Sequence, residues 1–308
     1  MSSDYIPRLR AELVRAAERR QPRWRPFALP LRPLVAAAAV ALIVVAVVVA
    51  VDRGGSGSGE FEYTVAAGAA EQAAEVMRER LEAGGVRGAT VSVGSDGRLA
   101  IDAPPEARAA VAALTRPGEF AIYDWEASVL GPDGKPAPGD PSVTGGENAG
   151  MGAATSRAQA ETRAAAAPGD ARVVRALGGS TEHWYALGGE PALTSADVAS
   201  AEPILDRQAM LPAVAIEFDE HGQEAFSELT RGIARRGAQV REWQHLVMVF
   251  DDEIVSVPYI NYREAPDGID GADGAYVSGD MSGQTTRWMS AMLVSGPLAA
   301  ELLPAPDG

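Results

Sequence analysis

The 308-residue sequence contains no cysteine, one lysine (Lys135) and only three histidines. Without cysteine, the chain can form no disulfide, no thiolate metal site and no cysteine nucleophile. His183, His221 and His245 show no metal-ligand spacing such as HExxH. The sequence also lacks a GxSxG elbow and a phosphate-binding glycine motif after a predicted strand. We therefore predict no catalytic residues, no cofactor and no enzyme activity.

Positive charge is scarce outside the N-terminus. Residues 1–33 hold eight arginines and three acidic residues, a net charge of +5, so the whole-chain charge of −15 leaves −20 on residues 34–308. Proteins that bind nucleic acids present a basic surface to the phosphates. Because the acidic remainder offers no such surface, we predict no nucleic-acid partner.

Residues 34–51, LVAAAAVALIVVAVVVAV, form a long apolar run without charge. As a helix the run would be about 27 Å long, close to the bilayer's hydrocarbon thickness of about 30 Å. The alternative is a cleaved signal peptide, whose apolar region is usually only about 7–15 residues long. We predict a retained single-pass transmembrane helix. The arginine-rich residues 1–33 would be a basic cytoplasmic tail, and the remainder would lie outside the cell membrane.

The exterior begins with a Gly/Ser linker at residues 52–60 and continues with ordered patterns. In residues 61–128, period-two apolar patterns predict four strands, and helical spacing predicts two helices between them. The order βαββαβ predicts a ferredoxin-like domain, with both helices on one face of a four-stranded sheet. Residues 129–179 are rich in Gly, Pro and Ala, which predicts a flexible insertion with one short Ala-rich helix. Residues 180–304 predict a second α+β domain, an antiparallel sheet with helices.

Asp251, Asp252 and Glu253 lie between two apolar runs in VFDDEIVSVPYIN. Paired catalytic carboxylates flank a substrate, about 5–9.5 Å apart in glycosidases, whereas consecutive acids on a tight turn point outward. Asp-Asp is acceptable in such a turn, although Asn-Gly or Asp-Gly is better. We therefore predict a hairpin with a solvent-facing acidic tip. Pro258 places the returning strand at an edge or ends its pairing.

A second acidic segment, DGIDGADG, offers a candidate calcium site. Asp267, Asp270 and Asp273 recur at every third position, each before a glycine. Calcium binds oxygen-rich loops, but an EF-hand needs acids at positions 1, 3 and 5 and a closing Glu at 12. Plain turns are the alternative, and we favour them because Asp and Gly are ordinary turn residues.

Three segments of the second domain, FDEHGQEAF, VFDDEIVSVPYIN and YVSGDMSGQTTRWMSAMLVSGPL, occur in the order typical of one family. They resemble the head of the large extracytoplasmic domain of the preprotein translocase subunit SecD. MRERLEAGGV similarly resembles an Arg-x-x-x-x-Gly-Val helix end in the base of that domain. The residues of this resemblance in the head are Phe218, Gly222, Phe226, Asp251, Asp252, Ser256, Pro258, Ile260 and Gly279.

The resemblance implies a base and a head outside the membrane, and a role in binding polypeptide as it emerges during export. Extended polypeptide and Sec translocase components are the partners it implies. SecD carries its proton pathway on five further membrane helices, and because we predict one such helix here, we expect no proton-driven motor activity. Asp252 stands where the family has glycine, which indicates a divergent relative. The alternative is an envelope sensor that signals through the basic cytoplasmic tail.

Overall fold

The architecture is described from a computed structural model of the chain. The residues that the structure describes are 59–66, 68–139, 152–178, 181–206, 210–278 and 281–305. The predicted cytoplasmic tail, the predicted transmembrane helix and nearly all of the Gly/Ser linker lie outside these residues. Within the described ranges, no helix is both long enough and apolar enough to cross a membrane.

The described chain contains both helices and strands. The helices are α1 (Ala70–Ala83), α2 (Arg108–Leu114), α3 (Trp125–Ser128), α4 (Arg157–Ala166), α5 (Glu220–Val240) and α6 (Gly283–Ser295), with 3-10 turns at Pro105–Ala107, Ser195–Asp197 and Gly271–Asp273. The strands are β1 (Glu60–Thr64), β2 (Thr90–Val93), β3 (Leu99–Asp102), β4 (Phe120–Asp124), β5 (Ala171–Gly178), β6 (Thr181–Gly188), β7 (Leu193–Thr194), β8 (Val198–Asp206), β9 (Leu211–Phe218), β10 (Gln244–Phe250), β11 (Glu253–Ser256), β12 (Tyr259–Ile260), β13 (Ala275–Ser278) and β14 (Leu303–Pro304). The fold is therefore mixed α+β, as predicted.

The first sheet has the strand order β14-β1-β3-β2, and all its pairings are antiparallel. Helices α1 and α2 contribute Met77, Leu81 and Leu114 to the same core as Leu99 and Ile101 of β3. Each of these five buried apolar side chains stabilises the fold by about 1.5–3 kcal/mol. We call residues 59–118 and 299–305 the base.

The predicted fourth strand of the base lies in another sheet. Strand β4 pairs with β10 and β7, and the position beside β1 is taken by β14 from the other end of the domain. Phe120, Ala121, Ile122 and Tyr123 are all buried, so both faces of β4 require apolar cover. The larger sheet offers such cover, because one core packs on Phe120 and Ile122 and another on Ala121 and Tyr123. The prediction of a self-contained ferredoxin-like sheet within residues 61–128 is therefore wrong in this strand.

The remaining residues, 119–298, form what we call the head. Its larger sheet has the order β6-β5-β11-β10-β4-β7, with β12 also beside β10. Alternate residues of β10 face two cores: Met248 and Phe250 lie in the core shared with the base, and Val247 and Val249 face a second core around Trp125. A smaller antiparallel sheet, β13-β9-β8, completes the head.

The segment 129–179 contains regular structure in its described part. Helix α4 matches the predicted Ala-rich helix, and Ser156 caps it by accepting a hydrogen bond from the Gln159 N–H. Strand β5, for which we predicted no structure, pairs along its length with β6 and contacts β11 in parallel at Arg175. Its apolar pattern is short, and its partners become evident only once the chain is folded. One strand of the head sheet thus begins at residue 171, inside the predicted insertion.

Candidate functional site

The acidic segment Asp251–Glu253, which we call the acid turn, joins β10 to β11. Asp251 and Asp252 have φ angles of 49° and 63°, as a type I′ hairpin turn requires at both central residues. The predicted hairpin is therefore confirmed. Because positive φ is less favourable for aspartate than for glycine, contacts with neighbouring segments must hold the turn.

The predicted solvent-facing acidic tip is wrong for two of the three acids. The side chains of Asp251 and Glu253 are only 4% and 12% exposed, whereas that of Asp252 is 60% exposed. Asp251 Oδ1 accepts hydrogen bonds from the backbone N–H groups of Gly118 (2.6 Å) and Glu119 (2.9 Å). These donors are more than 130 residues away in sequence, so no local pattern could reveal them.

Arg116, at the end of the base, binds the acid turn across the boundary between base and head. Its Nε lies 3.2 Å from Asp251 Oδ2, and its Nη2 lies 3.4 Å from Glu253 Oε2. Burial raises the pKa of Asp251 above its ordinary value of 3.8 and outweighs the opposing effects of Arg116 and the two backbone N–H groups. A raised carboxyl pKa also marks many catalytic acids. Here both oxygens face groups of the fold, which supports a structural role.

Two arginines of β5 complete the network around the acid turn. Arg172 pairs with Asp252 at 2.6 Å and with Glu119 at 2.8 Å. Arg175 pairs with Glu253 and with Glu182, and its backbone N–H donates to the Asp252 carbonyl at 2.7 Å. Each acid of the turn therefore has a guanidinium partner.

Beside the acid turn, a groove of about 550 Å³ runs between base and head. We call it the junction groove. Its base wall is formed by Tyr63, Ala112, Thr115, Arg116, Leu302 and Pro304, and its head wall by Arg157, Val173, Arg175, Trp184 and the acid turn. The Arg157 guanidinium lies 5.7 Å from the centroid of the Trp184 ring, a cation–π contact at the rim. The volume falls in the range of about 300–1,000 Å³ that is usual for ligand sites.

Arg80 of α1 is fully buried behind this groove, at 0% exposure. Its five N–H groups make five hydrogen bonds, to the carbonyls of Leu114, Arg116, Pro117 and Gly296 and to Ser295 Oγ. That number uses the whole donor capacity of a guanidinium. Burial lowers the pKa of Arg80 to about 10, with Asp251 opposing the shift, so the group remains charged at neutral pH.

Arg80 lies in the segment MRERLEAGGV, but from the sequence we predict no role for this arginine. One signal was available: Arg80 lies three residues after Met77, on the buried face of α1 with Ala73. A charged residue on the apolar face of a helix requires a polar partner, because an unpaired buried charge is costly. Its partners could not be identified from the sequence, since they lie at and just beyond the C-terminal ends of α2 and α6.

The residues that open helix α5 serve the packing of the head. Phe218 and Phe226 are buried, and their ring centroids lie 5.2 Å apart. Gly222 lies where a Cβ would approach the Asp197 carbonyl to 2.7 Å, so the close approach of helix and 3-10 turn requires glycine. The Phe-x-x-x-Gly-x-x-x-Phe pattern therefore reflects contact between elements, not chemistry.

The returning strand of the acid hairpin is also interior. Ser256, Pro258 and Ile260 are all buried, and the Pro258 carbonyl accepts a hydrogen bond from the Leu246 N–H at 3.1 Å. Pairing with β10 shifts register before Ser256 and resumes at β12 beyond Pro258. The β10–β11 pairing thus ends before Pro258, which is one of the two predicted alternatives. The other, an edge position for this strand, is wrong, because β11 lies between β5 and β10. Gly279 lies outside the described residues.

The structure does not bring Asp267, Asp270 and Asp273 together around one point. Asp270 accepts a hydrogen bond from the Ala272 N–H at 3.0 Å and begins the 3-10 turn. Burial, followed by the charge of Asp270, raises the pKa of Asp273. Among the described residues, the group of three whose ligand atoms lie within 4.8 Å of one another is Asp197, Asp219 and His221.

That second group is explained by the capping of two helices. Asp219 caps α5, and Asp197 accepts a hydrogen bond from the Thr194 N–H at 2.7 Å while lying 2.7 Å from His221 Nδ1. Burial raises the pKa of Asp197, but the hydrogen bonds from Thr194 and His221 outweigh it and lower the pKa overall. The hydrogen bond to Asp197 raises the pKa of His221. The arrangement is a contact between the buried Asp197 and the exposed His221 at a helix start.

Two exposed apolar surfaces of the head lie apart from the groove. The aromatic patch consists of Val240, Trp243 and Tyr259, with the Trp243 and Tyr259 rings stacked at 4.6 Å and Trp243 49% exposed. The hairpin tip consists of Leu205, Met210 and Leu211 at the turn between β8 and β9, where Met210 is 67% exposed. Neither surface lines the junction groove.

Comparison with known proteins relates the head to one family. Residues 171–300 match the model of the SecDF P1 head subdomain. Over 126 residues the chain is 27% identical to the protein translocase subunit SecD of Synechocystis sp., a match that covers 41% of this chain. The same match spans a quarter of the length of that SecD.

Two solved structures share the fold. The crystal structure of SecDF in a super-membrane-facing form covers 80% of this chain and 29% of its own, with 18% identity and a TM-score of 0.51. A second, of SecDF as a membrane component that enhances protein export, covers 81% of this chain and 99% of its own, with 18% identity and a TM-score of 0.50. The matched head and the shared fold agree with the motifs found in the sequence. The chain is a relative of the extracytoplasmic domain of SecD and SecDF.

Proposed function

We propose that the chain takes part in protein export by binding a segment of extended polypeptide in the junction groove. The observation that carries the proposal is a groove of about 550 Å³ with Tyr63 and Trp184 on opposite modules and arginines and acids at its rim. Aromatic and apolar walls bind side chains of varied sequence, and a polar rim receives the polypeptide backbone. The relationship to SecDF supports export as the setting.

The proposed mode of action is binding and not catalysis. The carboxylates of the groove are paired with arginines, and His221 and His245 pair with Asp197 and Glu126 away from it. In this proposal the predicted helix at 34–51 anchors the chain, and Sec translocase components are neighbours in the membrane. Nothing in the described residues or the comparisons favours the sensor alternative.

Two tryptophans of the head allow a matched test. The full chain in lipid nanodiscs would be titrated against a fluorescent, permanently unfolded polypeptide, with binding followed by anisotropy. We expect Trp184→Ser to weaken binding about tenfold, since one aromatic anchor contributes more than about 1 kcal/mol. Trp243→Ser, which removes an equally large ring from the aromatic patch, should leave the affinity unchanged.

Two outcomes would contradict the proposal. If the wild-type chain shows no binding, polypeptide recognition itself is wrong. If Trp243→Ser weakens binding and Trp184→Ser does not, the aromatic patch is the binding site. A photo-crosslinking residue at position 184 should capture exported proteins in cells, and the same residue at position 243 should not.

A further inference from the structure

The chain crosses between base and head twice, and both crossings meet at Arg80. Residues 115–119 form the outgoing crossing and residues 296–302 the return crossing. Arg80 Nη2 donates to the Pro117 carbonyl at 2.8 Å and to the Gly296 carbonyl at 2.7 Å, one acceptor on each crossing. The Leu298 N–H also donates to the Pro117 carbonyl at 2.8 Å. A single base side chain therefore joins the two connections.

Asp251 holds the outgoing crossing from the head. Its carboxylate accepts the N–H groups of Gly118 and Glu119, and its own N–H donates to the Glu119 carbonyl at 2.9 Å. Arg80 binds the peptide carbonyls of Arg116 and Pro117, which immediately precede these groups. Adjacent peptide groups of one crossing are thus bound by a cation of the base and an anion of the head.

Gly118 makes this arrangement possible. Its φ is +78°, a conformation that favours glycine, and a Cβ at this position would collide with Arg80 Nη2. The crossing therefore passes directly against the guanidinium. Any larger residue would displace Arg80 from its carbonyl acceptors.

We propose that Arg80 and Asp251 are positioning residues that together set the width of the junction groove. The groove walls belong to base and head, which share one hydrophobic core. Apolar contacts are not directional, so this core by itself permits small rotations of one module against the other. Fixing both crossings at one point removes that freedom. An effect of this width on polypeptide binding rests on the proposed function. The fixed geometry of the two crossings does not depend on it.

Replacing Arg80 by lysine tests the hydrogen bonds separately from the positive charge. A lysine keeps the positive charge but has three N–H donors, so Arg80→Lys loses at least two of the five hydrogen bonds. Asp251→Asn keeps the shape and one oxygen acceptor while removing the charge that faces Arg116. Arg236→Lys is the matched control, because Arg236 also binds several acceptors, Asp124 and Gln244, but entirely within the head.

The absence of cysteine allows the groove width to be measured directly in the full chain. Ala109→Cys on α2 of the base and Ala165→Cys on α4 of the head, both exposed positions, would carry spin labels for pulsed EPR. We expect one narrow distance distribution for the otherwise wild-type chain. Arg80→Lys and Asp251→Asn should broaden it about twofold as the modules gain freedom of motion. Arg236→Lys should not broaden it.

An unchanged distribution in folded Arg80→Lys and Asp251→Asn overturns the proposal, and so does equal broadening by Arg236→Lys. If Arg80→Lys fails to fold, Asp251→Asn decides alone: broadening supports the proposal and an unchanged width overturns it. The readout involves no polypeptide. If the widths change as expected but Trp184→Ser binds polypeptide normally, only the proposed function fails.

Discussion

The two acidic segments of the head have similar compositions and opposite surroundings. The acid turn Asp251–Glu253 is bound by three arginines and by backbone N–H groups of the outgoing crossing. The loop containing Asp267, Asp270 and Asp273 is instead fastened to helix α5 by its own backbone: the Ile269 N–H donates to Thr230 Oγ1 at 2.9 Å. In the acid turn, the acidic side chains themselves contact the neighbouring segments. In the loop, the glycines beside the aspartates make the close contacts with α5.

This difference shows why acidic composition alone does not identify a site. Gly271 passes so close to α5 that a Cβ would collide with the Gln223 backbone, and its N–H donates to Ser227 Oγ at 2.8 Å. Of the aspartates in this loop, Asp267 and Asp270 are exposed and Asp273 is half-buried. What matters is which groups the fold places opposite each segment, arginines in one case and a helix in the other.

The comparison predicts its largest effect at Asp251. Asp251→Ala should lower the free energy of unfolding by about 2–4 kcal/mol, because the buried Gly118 N–H loses its acceptor and alanine is unfavourable at positive φ. Urea unfolding of the full chain, followed by tryptophan fluorescence, would measure this loss. Asp267→Ala in the other segment is the control, and an equal loss there would remove the distinction between the two segments.

The second prediction concerns the glycines of the loop. Gly271→Ala should destabilise the head by about 1–3 kcal/mol, since the added methyl group must displace the loop from α5. Gly283→Ala, where a Cβ would meet nothing within 4 Å, should leave the unfolding midpoint unchanged. Similar midpoints for the two variants would show that the loop is not fastened as described.

A third prediction concerns the pH dependence of stability that the buried Asp251 confers. Since the folded-state pKa of Asp251 is raised, the native chain binds this proton more tightly than the unfolded chain does. The stability of wild type relative to Asp251→Asn should therefore increase as pH falls through the raised pKa toward 3.8, and decrease as pH rises through the same window. Urea midpoints of the two proteins across this range would test the sign. The opposite slope would show that Arg116 and the backbone donors outweigh burial.

The smallest effect is expected at the exposed acid of the turn. Asp252→Gly should change the free energy of unfolding by no more than about 0.5 kcal/mol, because relief at positive φ offsets the loss of the Arg172 ion pair. A loss larger than about 2 kcal/mol in the same urea assay would mean that the exposed ion pair matters as much as the buried one.

Much of the head was predictable from local patterns. The β10–β11 hairpin and the Ala-rich helix α4 depend on residues close in sequence, so periodicity and turn chemistry were sufficient. The placement of β4 was not predictable in this way, because its partners β10 and β7 follow it by many residues. The junction groove was missed for the same reason: Tyr63, Trp184 and Leu302 meet only in the folded chain.

The sequence by itself determined the α+β class, the hairpin at Asp251-Asp252 and the relationship to SecD, because these depend on the order and spacing of residue types along the chain. The tertiary structure decided which acids are buried, which sheet receives β4, and that the guanidinium of Arg80 joins both crossings. Those features depend on desolvation and on donors and acceptors that lie far apart in sequence. A carboxylate or guanidinium acquires its role from the groups that folding places around it.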